Sequence, residues 1–194
     1  MPKPRPGVFR ITKTNHNILQ GVSKPQDRLT AEDCDQVKDW TEDNAKRYWL
    51  SSEGPLRPPS EGGAHVIVID DPQMAALIPI AKEAAPDRPV IFRSHIHIRS
   101  DLIATPGTPQ AEAWERLWES VQLADVFISH PVGSFVPKNI PPERIGFVPA
   151  STDWWVIHVF AFYFPWNNKP DRHQVGWTEQ IHARLGHRLL RPEL

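Results

Sequence analysis

The sequence contains a single cysteine, Cys34, among 194 residues. One thiol excludes an internal disulfide framework and a zinc site built from several cysteines. Cys34 has no basic neighbour in sequence, and no Gly-x-Ser-x-Gly segment is present to expose a serine nucleophile. We therefore expect neither a disulfide-stapled secreted domain nor a hydrolase that works through a covalent nucleophile.

The sequence also has no excess of either charge, since Lys and Arg number 22 and Asp and Glu number 23. Binding to nucleic acid or to an anionic membrane usually requires a broad basic surface. The basic, proline-rich segment 1–10 lacks the apolar stretch of a secretory signal. The apolar run at 154–166 is shorter than the roughly 20 residues that span a bilayer. We expect a cytoplasmic protein with no nucleic-acid or membrane partner.

Glycine-rich phosphate-binding loops are absent as well. Neither Gly-x-Gly-x-x-Gly nor a Walker-type segment occurs in the sequence, so nothing predicts a dinucleotide or nucleotide cradle. We therefore expect no cofactor. The expected partner is a small molecule that is neutral or only locally charged.

Shifts in composition divide the chain into three zones. We predict an N-terminal extension over 1–63, a βαβ core over 64–153 and an atypical aromatic and basic tail over 154–194. The tail does not continue the strand and helix pattern before it. We interpret it as either disordered or translated from a frameshift or a retained intron.

The extension carries one predicted strand and one predicted helix. The apolar, partly β-branched run Val8–Ile11 indicates a short strand. A helix is predicted over Ala31–Leu50, because Thr30 and Asp33 form a Ser/Thr-x-x-acid capping pattern before apolar residues at helical spacing. We expect this helix to pack on the core.

The core alternates strands with helices, the pattern of an α/β domain with a parallel sheet. The predicted strands are Val66–Ile69, Pro89–Arg93, Asp125–Ile128 and Ile145–Val148. Between them, a helix over Gln73–Ala85 should be kinked or shortened by Pro79. A second helix begins at Thr108 and Pro109, a cap followed by proline in the first turn.

Polar residues follow every predicted strand, where open parallel sheets bind their ligands. They are Asp70 and Asp71 after the first strand, Arg93, His95, His97 and Arg99 after the second, His130 after the third and Asp153 after the fourth. The carboxyl edge of the sheet is therefore the predicted binding site.

These side chains allow several interpretations. Asp70 and Asp71 are suited either to cap the following helix or to accept hydrogen bonds from sugar hydroxyls. The pair His95 and His97 could ligate a metal together with Asp70 or His130. Alternatively, His95 contacts a sugar hydroxyl or the charge that develops at an anomeric centre, or one of the two histidines is simply buried and structural. The sequence pattern leaves all three open.

Longer runs resemble the fungal trehalose phosphorylases and the similar trehalose synthases, which are family-4 retaining glycosyltransferases. The matching runs are Asn15–Val22, His65–Met74, Asp87–Ile96, Ile98–Leu102, Ala124–Val132, Ser134–Pro137 and Pro149–Trp154. Together they cover roughly 8–154 of the chain, and they are long enough to be specific.

The resemblance implies a two-domain GT-B enzyme, of which this chain is an incomplete, Rossmann-like N-terminal half. Such an enzyme converts trehalose and phosphate to glucose and α-glucose 1-phosphate with retention of configuration. The first domain holds the acceptor, glucose or trehalose, and the second domain holds the donor with its phosphate or nucleotide leaving group. We therefore expect the chain alone to be inactive, and homo-oligomerisation stays open.

By the same resemblance, we expect Asp70, Asp71, Arg93, His95 and Arg99 to contact the acceptor sugar, with no metal. Two alternatives to this function remain. One is a non-catalytic carbohydrate-binding or interaction module, and the other is a metal-dependent hydrolase built on the histidine pair.

Overall fold

A sheet of four parallel strands lies at the centre of residues 5–149, which are the residues described by this computed structural model. The strands are β1 Ile67–Asp70, β2 Val90–Arg93, β3 Val126–Ser129 and β4 Ile145–Phe147. They lie in chain order, and each pairs in parallel with the next. This arrangement confirms the predicted α/β, Rossmann-like parallel sheet.

Five α-helices accompany the sheet in the described residues. They are α1 Pro6–Leu19, α2 Ala31–Asn44, α3 Leu77–Ala84, α4 Ser100–Ile103 and α5 Pro109–Val121. A π-helical turn, Ala45–Trp49, continues α2. α3 packs on β1 and β2, α1 packs on α2 and α5, and α2 also reaches α3. The helices that precede β1 therefore pack on the helices of the core.

Within the mostly aliphatic core, a series of aromatic contacts joins the strands to α5. The rings of Phe92 and Phe127, from neighbouring strands, have centroids 5.6 Å apart. Phe127 meets Trp114 of α5 edge to face at 6.4 Å, and Trp114 lies 5.9 Å from Trp118. Since burying one large apolar side chain contributes about 1.5–3 kcal/mol, these contacts hold α5 on the sheet.

The strand predicted at Val8–Ile11 is wrong, because these residues lie inside α1. Val8, Ile11 and Ile18 are buried together, at spacings that a helix of 3.6 residues per turn places on one face. A short apolar run does not distinguish a strand from a buried helix. The longer spacing to Ile18 was the informative signal.

The other predicted elements are confirmed, with small shifts at their ends. The helix predicted over Ala31–Leu50 appears as α2 with its π-helical turn. α3 begins at Leu77 after a 3₁₀ turn, so Pro79 stands in the first helical turn, where its missing N–H is not needed. The proline therefore shortens the predicted helix.

Part of the sequence interpretation lies outside the described residues. The end of the predicted core, 150–153, and the tail 154–194 are not described, and the zone boundaries stay a prediction. Within residues 5–149, no helix combines the length and the apolar character needed to cross a membrane.

A buried arginine fixes the loop that leads into β1. Arg88 is 3% exposed, and its guanidinium donates to the carbonyls of Arg57 at 2.7 Å, Ala81 at 2.9 Å and Leu56 at 3.0 Å. Burial lowers the pKa of Arg88. The Arg88 guanidinium, two residues before β2, thus hydrogen-bonds both the loop before β1 and the last turn of α3.

We expect Arg88→Met to lower the free energy of unfolding by about 3 kcal/mol or more, because several buried carbonyls lose their donor. Urea unfolding would measure the change. The control is Arg47→Met, at an exposed position on the π-helical turn. Equal unfolding midpoints for the two variants would contradict the role given to Arg88.

The capping box of α2 makes a pH-dependent contribution. The Thr30 hydroxyl accepts from the Asp33 N–H at 3.0 Å, and the Asp33 carboxylate accepts from the Thr30 N–H at 3.1 Å. Burial acts to raise the pKa of Asp33, but hydrogen bonds from Thr30 and Arg10 outweigh it and lower the pKa below the usual 3.8. The stabilisation is therefore present above the unfolded-state pKa and lost as pH falls.

We expect Asp33→Ala to destabilise the protein by about 1 kcal/mol at neutral pH. The difference from the wild-type protein should shrink as pH is lowered through the folded-state pKa. Urea unfolding at several pH values measures it, with Asp39→Ala at an exposed position of the same helix as control. A difference that stays constant down to pH 3 would rule out the linkage.

Candidate functional site

The ends of β1 and β2 bring a carboxylate and a guanidinium together. Asp70 and Arg93 are register partners, and Arg93 Nη1 donates to Asp70 Oδ2 at 2.7 Å. Both side chains are partly exposed, so the pair contributes at most about 1 kcal/mol to stability. It leaves charged, hydrogen-bonding groups accessible at the carboxyl edge of the sheet.

The next residue, Asp71, is held in a strained backbone conformation. Its φ is 84°, and among the described residues it is the only non-glycine with positive φ. Such a conformation costs of order 1–3 kcal/mol and persists where surrounding contacts enforce it. Here the Asp71 N–H donates to the Arg93 carbonyl at 3.0 Å, and the carboxylate accepts from the Gln73 N–H at 2.9 Å. In this conformation the Asp71 carboxylate is buried and not exposed to solvent.

Two imidazoles meet these carboxylates. His16, from the last turns of α1, places Nε2 2.6 Å from Asp71 Oδ1. His95, two residues after β2, places Nε2 3.1 Å from Asp71 Oδ2 and Nδ1 3.2 Å from Asp70 Oδ1. We call His16, Asp70, Asp71, Arg93 and His95 the rim cluster.

Arg99 is engaged elsewhere in the described structure. Its guanidinium holds Asp101 through two bonds, from Nε at 2.8 Å and Nη2 at 2.6 Å. The bond from Arg99 lowers the pKa of Asp101 to about 2, and the bond to Asp101 raises the pKa of Arg99. The Arg99 N–H donates to the carbonyl of Leu19 at 2.9 Å. Arg99 therefore joins the end of α1 to the loop after β2.

The two remaining histidines of the predicted site, His97 and His130, pack on an aromatic ring. His97 stacks on Phe135 with centroids 4.1 Å apart, and His130 meets the same ring edge-on at 6.4 Å. His130 Nε2 also lies 3.0 Å from the carbonyl oxygen of His95. In residues 5–149 no three His, Cys, Asp or Glu side chains form a group that could hold a metal. The ligand set of the metal-dependent hydrolase alternative is thus not assembled.

A cavity of about 540 Å³ lies among α1, α2, α3 and α5. Apolar side chains line much of it, and its polar groups include Cys34 and Arg116, whose Sγ and Nη1 are 3.0 Å apart. The guanidinium beside this thiol is a basic neighbour that the sequence did not indicate. The rim cluster lies outside the residues that line the cavity, at the carboxyl edge of the sheet.

Comparison with known proteins identifies the family to which the chain belongs. The family described as "Trehalose synthase, N-terminal domain" matches residues 1–137. The chain belongs to this family. It is 52% identical over 154 residues to a trehalose phosphorylase of Pleurotus pulmonarius and 51% identical to one of Grifola frondosa. The resemblance seen in the sequence is confirmed.

The aligned part is 79% of this chain but only 20% of each of these two trehalose phosphorylases. A trehalose synthase of Pyrococcus horikoshii is 30% identical over 145 residues, which are 75% of this chain and 29% of that protein. The chain therefore spans about a fifth of the length of the fungal relatives it matches.

For this trehalose synthase N-terminal domain, the sequence singled out all of the rim cluster except His16. His16 lies 55 residues before Asp71 in sequence, so no local spacing links them. The run Asn15–Val22, part of the family resemblance, was the available signal. This run contains both His16 and the end of α1.

Gly21 allows the close approach between α1 and Arg99. Its φ is +70°, and an added Cβ would lie 3.1 Å from Leu102 Cδ1 and 3.2 Å from Arg99 Cγ. Gly107 has a similar φ of +78°, with no atom within 4 Å of an added Cβ. Both glycines adopt a positive φ, but only at Gly21 would an added Cβ press on neighbouring side chains.

We expect Gly107→Ala to destabilise the protein by about 1 kcal/mol, the cost of a left-handed conformation. Gly21→Ala should cost more, because the methyl group also presses on Arg99 and Leu102. Urea unfolding of both variants measures the difference. Identical losses would show that the close approach is not required.

Proposed function

We propose that this domain binds the acceptor sugar of a trehalose-metabolising glycosyltransferase at the rim cluster. The observation that carries the proposal is the convergence of Asp70, Arg93 and His95 at the carboxyl ends of β1 and β2. Open α/β sheets bind their ligands at such strand ends. We propose that these three residues contact the sugar directly, while Asp71 and Arg99 shape the site.

The chemistry of the cluster suits a polyhydroxylated ligand. A sugar hydroxyl both donates and accepts hydrogen bonds, so it needs an acceptor and a donor close together. Asp70 supplies carboxylate oxygens, and Arg93 and His95 supply N–H donors. The Asp70 carboxylate already contacts Arg93 and His95. A sugar hydroxyl that binds Asp70 would therefore replace one of these charge-assisted contacts.

For the whole enzyme, we propose the reaction that the fungal relatives' name indicates, the reversible phosphorolysis of trehalose to glucose and α-glucose 1-phosphate. The donor and its phosphate or nucleotide group would then be held outside the described residues. The contribution of this domain would be to fix the acceptor oxygen near the anomeric carbon, which is catalysis by positioning. The cytoplasm is the proposed location.

Calorimetric titration of the purified chain with glucose and with trehalose, with and without phosphate, tests the proposal. We expect His95→Ala and Asp70→Asn each to weaken glucose binding at least tenfold, about 1.4 kcal/mol. The matched control is His65→Ala, because His65 is exposed and precedes β1, at the opposite end of that strand.

Glucose binding by the control but not by the two rim variants would support the acceptor site. Absence of glucose and trehalose binding by folded protein would overturn it and favour the interaction-module alternative. Phosphate-dependent release of glucose from trehalose by the chain alone would contradict a role limited to acceptor binding.

A further inference from the structure

The carboxylate of Asp71 is buried among protein partners. Its Oδ1 accepts from His16 Nε2 at 2.6 Å and from the Gln73 N–H at 2.9 Å, and its Oδ2 faces His95 Nε2 at 3.1 Å. The residue is 5% exposed. Its burial and these partners restrict the access of a sugar hydroxyl to this carboxylate.

His16 is held at the same carboxylate but stays accessible. Because an ionised carboxylate only accepts hydrogen bonds, Nε2 of His16 carries the proton and donates. In a neutral ring, Nδ1 is then an acceptor. The His16 side chain is 24% exposed, against 7% for that of Asp71. The ring is therefore held at Asp71 through Nε2, while Nδ1 is not used by this carboxylate and the ring is partly open to solvent.

The helix that carries His16 is itself fixed beside the rim. α1 ends at Leu19, whose carbonyl accepts from the Arg99 N–H at 2.9 Å. Gly21 then turns the chain in the left-handed conformation. These contacts anchor the last turn of α1 to the loop that also carries His95. The two imidazoles thus approach one carboxylate from two segments that are hydrogen-bonded to each other.

We propose that His16 is a further sugar-binding residue of this site, and that Asp71 is a positioning residue that acts through His16 and His95. The inference rests on the proposed function, since it names a second wall of the same acceptor site. The ligand class is a hexose: Nδ1 of His16 accepts from one of its hydroxyls, while His95 and Asp70 contact another part of the ring.

The decisive variant is His16→Gln. The amide nitrogen of glutamine can take the place of Nε2 and keep the bond to Asp71, but its acceptor, the amide oxygen, does not lie at the position of Nδ1. We expect glucose affinity to fall at least tenfold by calorimetry while the urea midpoint stays near that of the wild-type protein. The control His65→Gln, at the far end of β1, should bind glucose as the wild type does.

The role of Asp71 has a readout that needs no sugar. Long-range ¹H–¹⁵N spectra of the ligand-free protein report which nitrogen of each imidazole carries a proton. We expect Nε2 of His16 to be protonated, and Asp71→Asn to shift the ring signals of His16 and His95 together while His97 and His65 stay unchanged. Unchanged signals of His16 and His95 in that variant would overturn the positioning role.

The outcomes separate this inference from the proposed function. If the wild-type chain binds glucose and His16→Gln binds it equally well, His16 is only a structural partner of Asp71 and the inference fails alone. If the wild-type chain binds no sugar, the proposed function fails as well. Should His16→Gln not fold, glucose titration of the wild-type chain decides: a shift of the His16 ring signals is expected, and its absence overturns the inference.

Discussion

The site depends on one buried carboxylate, that of Asp71. It caps the turn after β1 by accepting from the Gln73 N–H, and it holds imidazoles that come from α1 and from the loop after β2. A positive φ at a non-glycine residue is costly, and these contacts offset the cost. The carboxylate is the group that His16 and His95 both contact, so it sets the position of the two imidazoles relative to each other.

The scaffold around this carboxylate is held by contacts of a different kind. Aromatic packing of Phe92, Phe127 and Trp114 joins α5 to the sheet within a core that is otherwise mostly aliphatic. Directed hydrogen bonds from Arg88 and Arg99 then fix the loops that enter and leave the sheet. Burial of apolar side chains packs the helices on the sheet. The hydrogen bonds of Arg88 and Arg99 position the loops that connect these elements.

Local patterns predicted most of this fold because the relevant signals are short-range. The capping pair Thr30 and Asp33 and the proline at the start of α5 specify helix starts within a few residues. The run Val8–Ile11 misled because four residues suit both a strand and a buried helix face. The contact between His16 and Asp71 could not be derived by spacing, since it requires knowing that α1 ends beside the edge of the sheet.

Two arginines near the ends of β2 show why residue type alone does not assign a role. Arg88, two residues before the strand, is buried against backbone carbonyls, whereas Arg93, its last residue, is partly exposed and paired with Asp70. In a parallel sheet, the amino edge is available for structural closure and the carboxyl edge for ligands. The guanidinium of Arg88 therefore stabilises the fold at one end of β2, and that of Arg93 belongs to the candidate site at the other end. Position along the strand, which the sequence does reveal once the sheet is recognised, is what separates the two roles.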